Sequence, residues 1–353
     1  MKKIIIAFMA IFLLAIPVSA QTNTYEEKIA EFSEQNNIDF NSLKEYPFET
    51  LWDVAKNAVK DNATKPVKVF CKISAILLLS SFLNFFVSDN SKEMIKLINV
   101  LCVLIVFCNI FDDFLHLTDM IINGLVDIKN FMVTFIPIFA SISFAGGEFI
   151  TSTVYTGFFL LSVIVTADFC IRYIVPSVKL FLALGITNSI SDVLNLNAIC
   201  EFYSKTVKII MTAVVSVLCF ILSLQTTIAQ SQDSLALKTG KFLVTSTVPI
   251  IGSALQGAVG SVYASMGVLK GFFGILGIAI ILNIFLPTLI TLAVNWVGYY
   301  AMIALSNILE NKSASDILSC FKNVIEVLMS MLVLFMILLI FSLTIMIKVT
   351  QGV

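Results

Sequence analysis

An all-α, polytopic membrane bundle is the fold this sequence predicts, and three observations predict it. Hydrophobic residues fill 58% of the 353 positions and charged residues only 13%, about half the charged share of a soluble domain. Mean hydropathy is +0.98, and the apolar runs are long enough to cross a bilayer as helices. Prolines and glycines lie inside those runs rather than in polar loops, as in membrane helices that pack closely or break. A net charge of −1 gives no electrostatic footprint for nucleic acid.

Residues 1–20 read as a signal peptide. Lys2 and Lys3 precede an apolar stretch at 4–16, and Val18-Ser19-Ala20 fits a small-residue cleavage site. The apolar stretch is short for a membrane span, so Gln21 onward is expected outside the cytoplasm. Residues 21–66 form the one long polar segment, an extracytoplasmic helical arm. Helices are expected at 24–35 and 48–61, the second with Leu51, Val54, Ala55, Ala58 and Val59 at helical spacing. Pro47 suits its start and Pro66 a stop. Such a segment holds too few large apolar side chains to fold alone, so it is expected to dock as an arm or lid.

Residues 67–129 are expected to hold two transmembrane helices, at 67–88 and 94–111, and an amphipathic segment. Lys92 and Lys96 in the turn between the helices favour a cytoplasmic turn. In the segment 112–129, Phe114, Leu117, Ile121 and Leu125 share a face, which predicts a helix lying along the membrane interface.

The remainder reads as two membrane repeats, 130–229 and 242–348. Pro137, Pro176, Pro249 and Pro287 fall into two matched pairs, and Val154-Tyr155 matches Val262-Tyr263. Each unit is expected to hold four apolar segments: 131–147, 149–171, 173–188 and 206–228, then 243–260, 262–284, 285–305 and 324–347. As a single helix, residues 268–305 would span about 57 Å against a bilayer core of about 30 Å. A division near Asn283 to Pro287 is therefore expected, and eight to ten membrane segments in all. The units are parallel if all four segments span, and inverted if the first only dips in and returns.

The chemistry concentrates in residues 249–277, which carry seven of the chain's 15 glycines. Ser253, Gln256, Ser261, Ser265 and Lys270 sit among them. Two readings fit: close helix packing, or a broken, pore-lining element. The pore reading takes Pro249, Gly252, Gln256, Gly257, Gly260, Gly267 and Gly271 from this stretch, and Pro137, Gly146 and Gly147 from its partner. Asp168 and Arg172 share a helix face at i, i+4 and form a candidate intramembrane ion pair; Glu148 and Lys179 are weaker candidates of the same kind. Asp112, His116 and Asp119 share a face without a metal-site signature. No cofactor, metal site or catalytic constellation is expected, and the cysteines, without a C-x-x-C, read as buried apolar residues.

Several blocks resemble one family. They are Lys241-Phe242, Val248-Pro249-Ile250-Ile251-Gly252, Gly267-Val268-Leu269-Lys270 and Phe273-Gly274, with the proline-and-glycine segment 135–147. Together with the signal peptide and the short arm, the chain resembles the stage III sporulation protein AE family over essentially its whole length. The resemblance implies a multipass protein of the mother-cell membrane around the forespore. Its implied partners are the other stage III sporulation AA-to-AH proteins, an ATPase subunit included, and the forespore protein Q across the intermembrane space. It implies a channel or permease-like role in forespore development, and no catalytic residues. A structural scaffold of that complex and a stand-alone secondary transporter are the rival readings. The transporter would need a coupling-ion site, for which only Asp168, Glu148 and scattered Asn are on offer.

Overall fold

A computed structural model describes residues 38–87, 92–190, 197–247 and 252–348, and six positions between 27 and 34. The expected signal peptide, 1–20, lies outside the described residues, as does Pro249. Every described element is helical. Six helices are long and apolar enough to cross a membrane, so the chain is an all-α polytopic bundle.

The first helix, α1 (Phe40–Glu45), is short and capped. The Ser42 amide donates to Asp39 Oδ1 at 3.1 Å and its hydroxyl to Oδ2 at 2.6 Å. These bonds hold the Asp39 carboxyl below the usual range. Ile29, Ile38, Phe40 and Leu43 are buried in the same apolar core as the long helices, and Lys44 Nζ lies 5.9 Å from the Phe272 ring centroid. The arm thus packs on the body.

Helix α2 (Pro47–Phe86) takes Pro47 at its first turn, where the missing amide costs nothing. It does not stop at Pro66. The proline is buried inside the helix, facing Gly298, and the arm helix and the first span are one 40-residue rod. A mid-helix proline costs about 3 kcal/mol, and packing along the full length of the rod offsets it.

Helix α3 (Lys92–Ala145) runs 54 residues and joins three segments that the sequence separates. The stretch 112–129 is its middle rather than an interfacial helix, because Phe114, Leu117, Ile121 and Leu125 are 0–4% exposed within the protein core. Nor is the helix broken at Pro137, which stands exposed on its outer side. It ends at Gly146-Gly147. Glu148 N donates to Ser143 O and Gly147 N to Phe144 O, both near 3 Å, with Gly147 at φ 84°. That left-handed C-terminal turn suits glycine.

Helix α4 (Phe149–Phe169) continues through a π-helical stretch (Cys170–Ile174) into α5 (Val175–Ile190). Segments 149–171 and 173–188 are therefore one rod. The wider turn accommodates the amide missing at Pro176. Helix α6 (Asn197–Thr247) is 51 residues long and includes the polar break at 230–241 expected between the two units. Helix α7 (Gly252–Ile308), at 57 residues, runs unbroken through Pro287, so the expected division near Asn283 is absent. Helix α8 (Lys312–Lys348) follows a tight turn with Glu310 at φ 54°. The four-segment units accordingly reduce to fewer, longer helices, and the expected eight to ten spans to six among the described residues.

Helices α7 and α8 form an antiparallel hairpin at the centre. Phe285 meets Phe335 edge-on and Tyr299 stacks on Phe321, with centroids 6.0 Å apart in both pairs. Helix α3 lies antiparallel to α7 on the other side. A Cβ on Gly277 would clash with the Phe135 ring, and one on Gly274 with Ile347. For these two glycines the close-packing reading holds, in the manner of small residues between membrane helices. Buried Asn311 ties the α7–α8 turn down. Its amide donates to Ser80 Oγ at 3.3 Å, and its carbonyl oxygen accepts from Ala314 N at 3.1 Å.

Candidate functional site

A polar cleft of about 730 Å3 opens between α2, α3, α7 and the arm. Two stripes line it. On α3, His116, Asp119, Asn123 and Asp127 recur at spacings of three and four, which puts them on one helix face. On α7, Asn283, Pro287 and Thr288 stand opposite. Ile38 of the arm, Val54 of α2, Met120 and Ile284 supply apolar wall. Gly124 lets the stripes approach: a Cβ there would sit 3.8 Å from Thr288 Oγ1. A smaller polar space beside the cleft shares His116 and Met120 with it and continues to Asp113, Lys65, Thr291 and Asn295.

The cleft's polar groups face open space, His116, Asp119 and Asn123 being exposed to it. His116, Asp119, Asn123, Asp127, Asn283 and Thr288 make no side-chain hydrogen bond or ion pair with another described residue. Thr288 is only 7% exposed, and buried hydroxyls are normally paired. Pro287 adds a further acceptor: it has no amide to give the Asn283 carbonyl, and both residues line the cleft. Among the described residues, no three His, Cys, Asp or Glu side chains are placed to hold one metal ion.

A second polar region lies at the α3–α4 turn, and its buried charges are paired. Lys270 of α7, 1% exposed, donates to Glu148 Oε2. Asp233 of α6, 3% exposed, accepts from Ile150 N at 2.9 Å and Thr151 N at 2.8 Å. It caps the N-terminus of α4, where a negative charge is favourable. Burial pushes the Glu148 carboxyl above its usual range, while the Lys270 charge pulls it back.

The residues singled out from sequence fall elsewhere. Gly146 and Gly147 make the α3–α4 turn, and Gly146 packs on Met266. Gly252, Gln256 and Gly257 lie in the first turns of α7. Gly260 and Gly271 have open space where a Cβ would stand; Gly267 is half-buried. Gly146, Gly147, Gly260, Gly267, Gly271 and Pro137 are not among the residues that line the cleft. Asp168 and Arg172 do pair, at 3.6 Å, but Lys129 of α3 is the nearer partner at 2.9 Å, and Arg172 is 72% exposed. Glu326, not singled out, accepts from Trp296 Nε1 and Lys208 Nζ, both at 3.1 Å, and so joins α6, α7 and α8.

His116 and Asp119, noted from the sequence only as sharing a face with Asp112, line the cleft; Asp112 is not among its lining residues. Asn123, Asp127 and Thr288 escaped notice. Their signal was available as polar residues at helical spacing across 116–127, facing a second such series from 283 to 295.

Long apolar helices with a polar cleft between them define a polytopic membrane protein. The family follows from comparison with known proteins. The family model for stage III sporulation protein AE matches residues 27–350, nearly the whole chain, and the chain belongs to that family. No curated protein and no solved structure matches it.

Proposed function

We propose that this protein is the channel or permease-like membrane component of a sporulation complex linking mother cell and forespore, and that solutes pass by way of the cleft. One observation carries the reading. Six polar side chains face a space of about 730 Å3 without partners among the described residues, in the volume range of small-molecule sites. Thr288 is 7% exposed, and a buried hydroxyl without a partner is costly, while His116, Asp119 and Asn123 stand exposed to the space rather than packed between helices. Membership of a sporulation family supports the setting: the mother-cell membrane around the forespore, the N-terminal arm outside the cytoplasm, and assembly with the other AA-to-AH proteins and protein Q. Energy comes from an ATPase partner, since the chain has no phosphate-binding loop of its own, and no enzymatic step is assigned to it.

Filling the cleft tests this. In sporulating cells, Gly124→Trp places an indole against Thr288 and is expected to arrest forespore development while the protein still accumulates and assembles. A cysteine at Thr288, in a background without the native cysteines, is expected to react with an aqueous thiol reagent and to produce the same arrest. Normal sporulation with the cleft filled would leave the scaffold reading in its place.

A further inference from the structure

We propose that the cleft binds a linear polyamine, its ammonium ends held by Asp119 and Asp127 and its methylene chain by the apolar wall. The inference names the ligand class of the cleft, and rests on the proposed function only in taking that cleft as the working site.

Charge comes first. Asp119 and Asp127 line the cleft with no cationic partner among the described residues. Lys65 stands in the adjoining space with Asp113. The cleft therefore carries two uncompensated carboxylates and favours a cation.

Spacing decides which cation. Asp119 and Asp127 lie eight positions apart on one continuous helix, about 12 Å along its axis. They cannot close on one metal ion, which needs ligands at about 2 Å. A molecule with positive charges at both ends of a chain about 12 Å long can engage both carboxylates.

The lining between the carboxylates fits such a chain. Met120, Ile284 and Pro287 offer apolar contact to methylenes, as aliphatic stems usually find beside a charged head. Asn123, Asn283 and the hydroxyl of Thr288, which is 7% exposed and unpartnered, supply neutral acceptors along the way. Their oxygens, with those of the two carboxylates, can accept from a ligand that only donates. Ammonium groups donate and do not accept.

The test is equilibrium binding of labelled spermidine to the purified full-length protein in nanodiscs of neutral lipid. Saturable binding at one site per chain is expected. It should weaken at least ten-fold in Asp119→Asn and in Asp127→Asn, and stay unchanged in Asp113→Asn. Putrescine, too short to span both carboxylates, should compete at least ten-fold less well than spermidine. Absence of saturable binding overturns the proposal. So does binding that is indifferent to both substitutions, or displaced as readily by magnesium, which marks a diffuse counterion. The two readings separate cleanly. Spermidine binding combined with normal sporulation of Gly124→Trp would remove the translocation path and leave the ligand. Arrest by Gly124→Trp without spermidine binding would do the reverse.

Discussion

The α3–α4 turn and the cleft are both polar regions inside an apolar bundle, and they treat their polar groups in opposite ways. At the turn, Glu148, Lys270 and Asp233 are at most 8% exposed. Lys270 is bonded to Glu148, and Asp233 accepts two backbone amides. At the cleft, carboxylates, amides and a hydroxyl face one space with no partner among the described residues. The difference teaches where structure ends and function begins. Paired groups hold four helices in register, whereas unpaired ones carry a cost that only a ligand or water can remove.

The largest effect that can break the comparison is expected at Lys270. Lys270→Ala leaves Glu148 buried without its cation and should destabilise the protein by about 3–5 kcal/mol. Unfolding in mixed detergent micelles measures it. A companion Lys270→Met, Glu148→Leu variant should recover most of the loss, because the stranded charge is gone. If the single change is silent, the turn is not the clamp described.

Asp233→Ala comes next. It removes the acceptor of two backbone amides and a charge at a helix N-terminus, for an expected loss of about 2 kcal/mol. Amide exchange of Ile150 and Thr151, relative to the rest of α4, locates the effect. Gly277→Ala should cost about 1–3 kcal/mol by pressing a methyl on the Phe135 ring. Phe135→Leu in the same chain should return part of it.

The smallest stability changes are expected in the cleft, and they sharpen the contrast most. Thr288→Val and Asn123→Ala remove groups that bond to no other described side chain, so each should stay within about 0.5 kcal/mol of the parent. Forespore development should nonetheless suffer. A large loss of stability from either would mean that these groups have structural partners after all.

Much of this was legible in the sequence, and the remainder shows what a linear reading lacks. Composition gave the helical membrane class. Spacing showed that Phe114, Leu117, Ile121 and Leu125 share one apolar face, but that face was assigned to the membrane interface, whereas it is buried in the core. The prolines misled, because a proline's cost is local while the packing that offsets it is distributed. Pro66, Pro137 and Pro287 all sit inside continuous helices. The long-range pairs could not be read at all. Lys270 stood out among the small residues of α7, but its partner Glu148 lies 122 positions away. Lys129 and Asp168 are 39 apart. Such partners depend on the antiparallel docking of helices, which no window of sequence contains. The cleft was half legible, since His116 and Asp119 stood on one face, but its second wall had been assigned to an interruption that does not occur.

That second wall belongs to a single beam. Along α7 lie Lys270 in the charge clamp, the cleft residues from Asn283 to Thr288, Trp296 bonded to Glu326, and the turn pinned by Asn311. Lys270 and Pro287 are about 25 Å apart on this helix, and Pro287 removes one rung from its ladder of hydrogen bonds. A rod fixed near both ends and notched between them has its lowest bending stiffness at the notch. Load applied at the clamp or at the Asn311 turn is therefore concentrated at the mouth of the cleft, so the width of that opening is the mechanical coordinate most easily moved from either end.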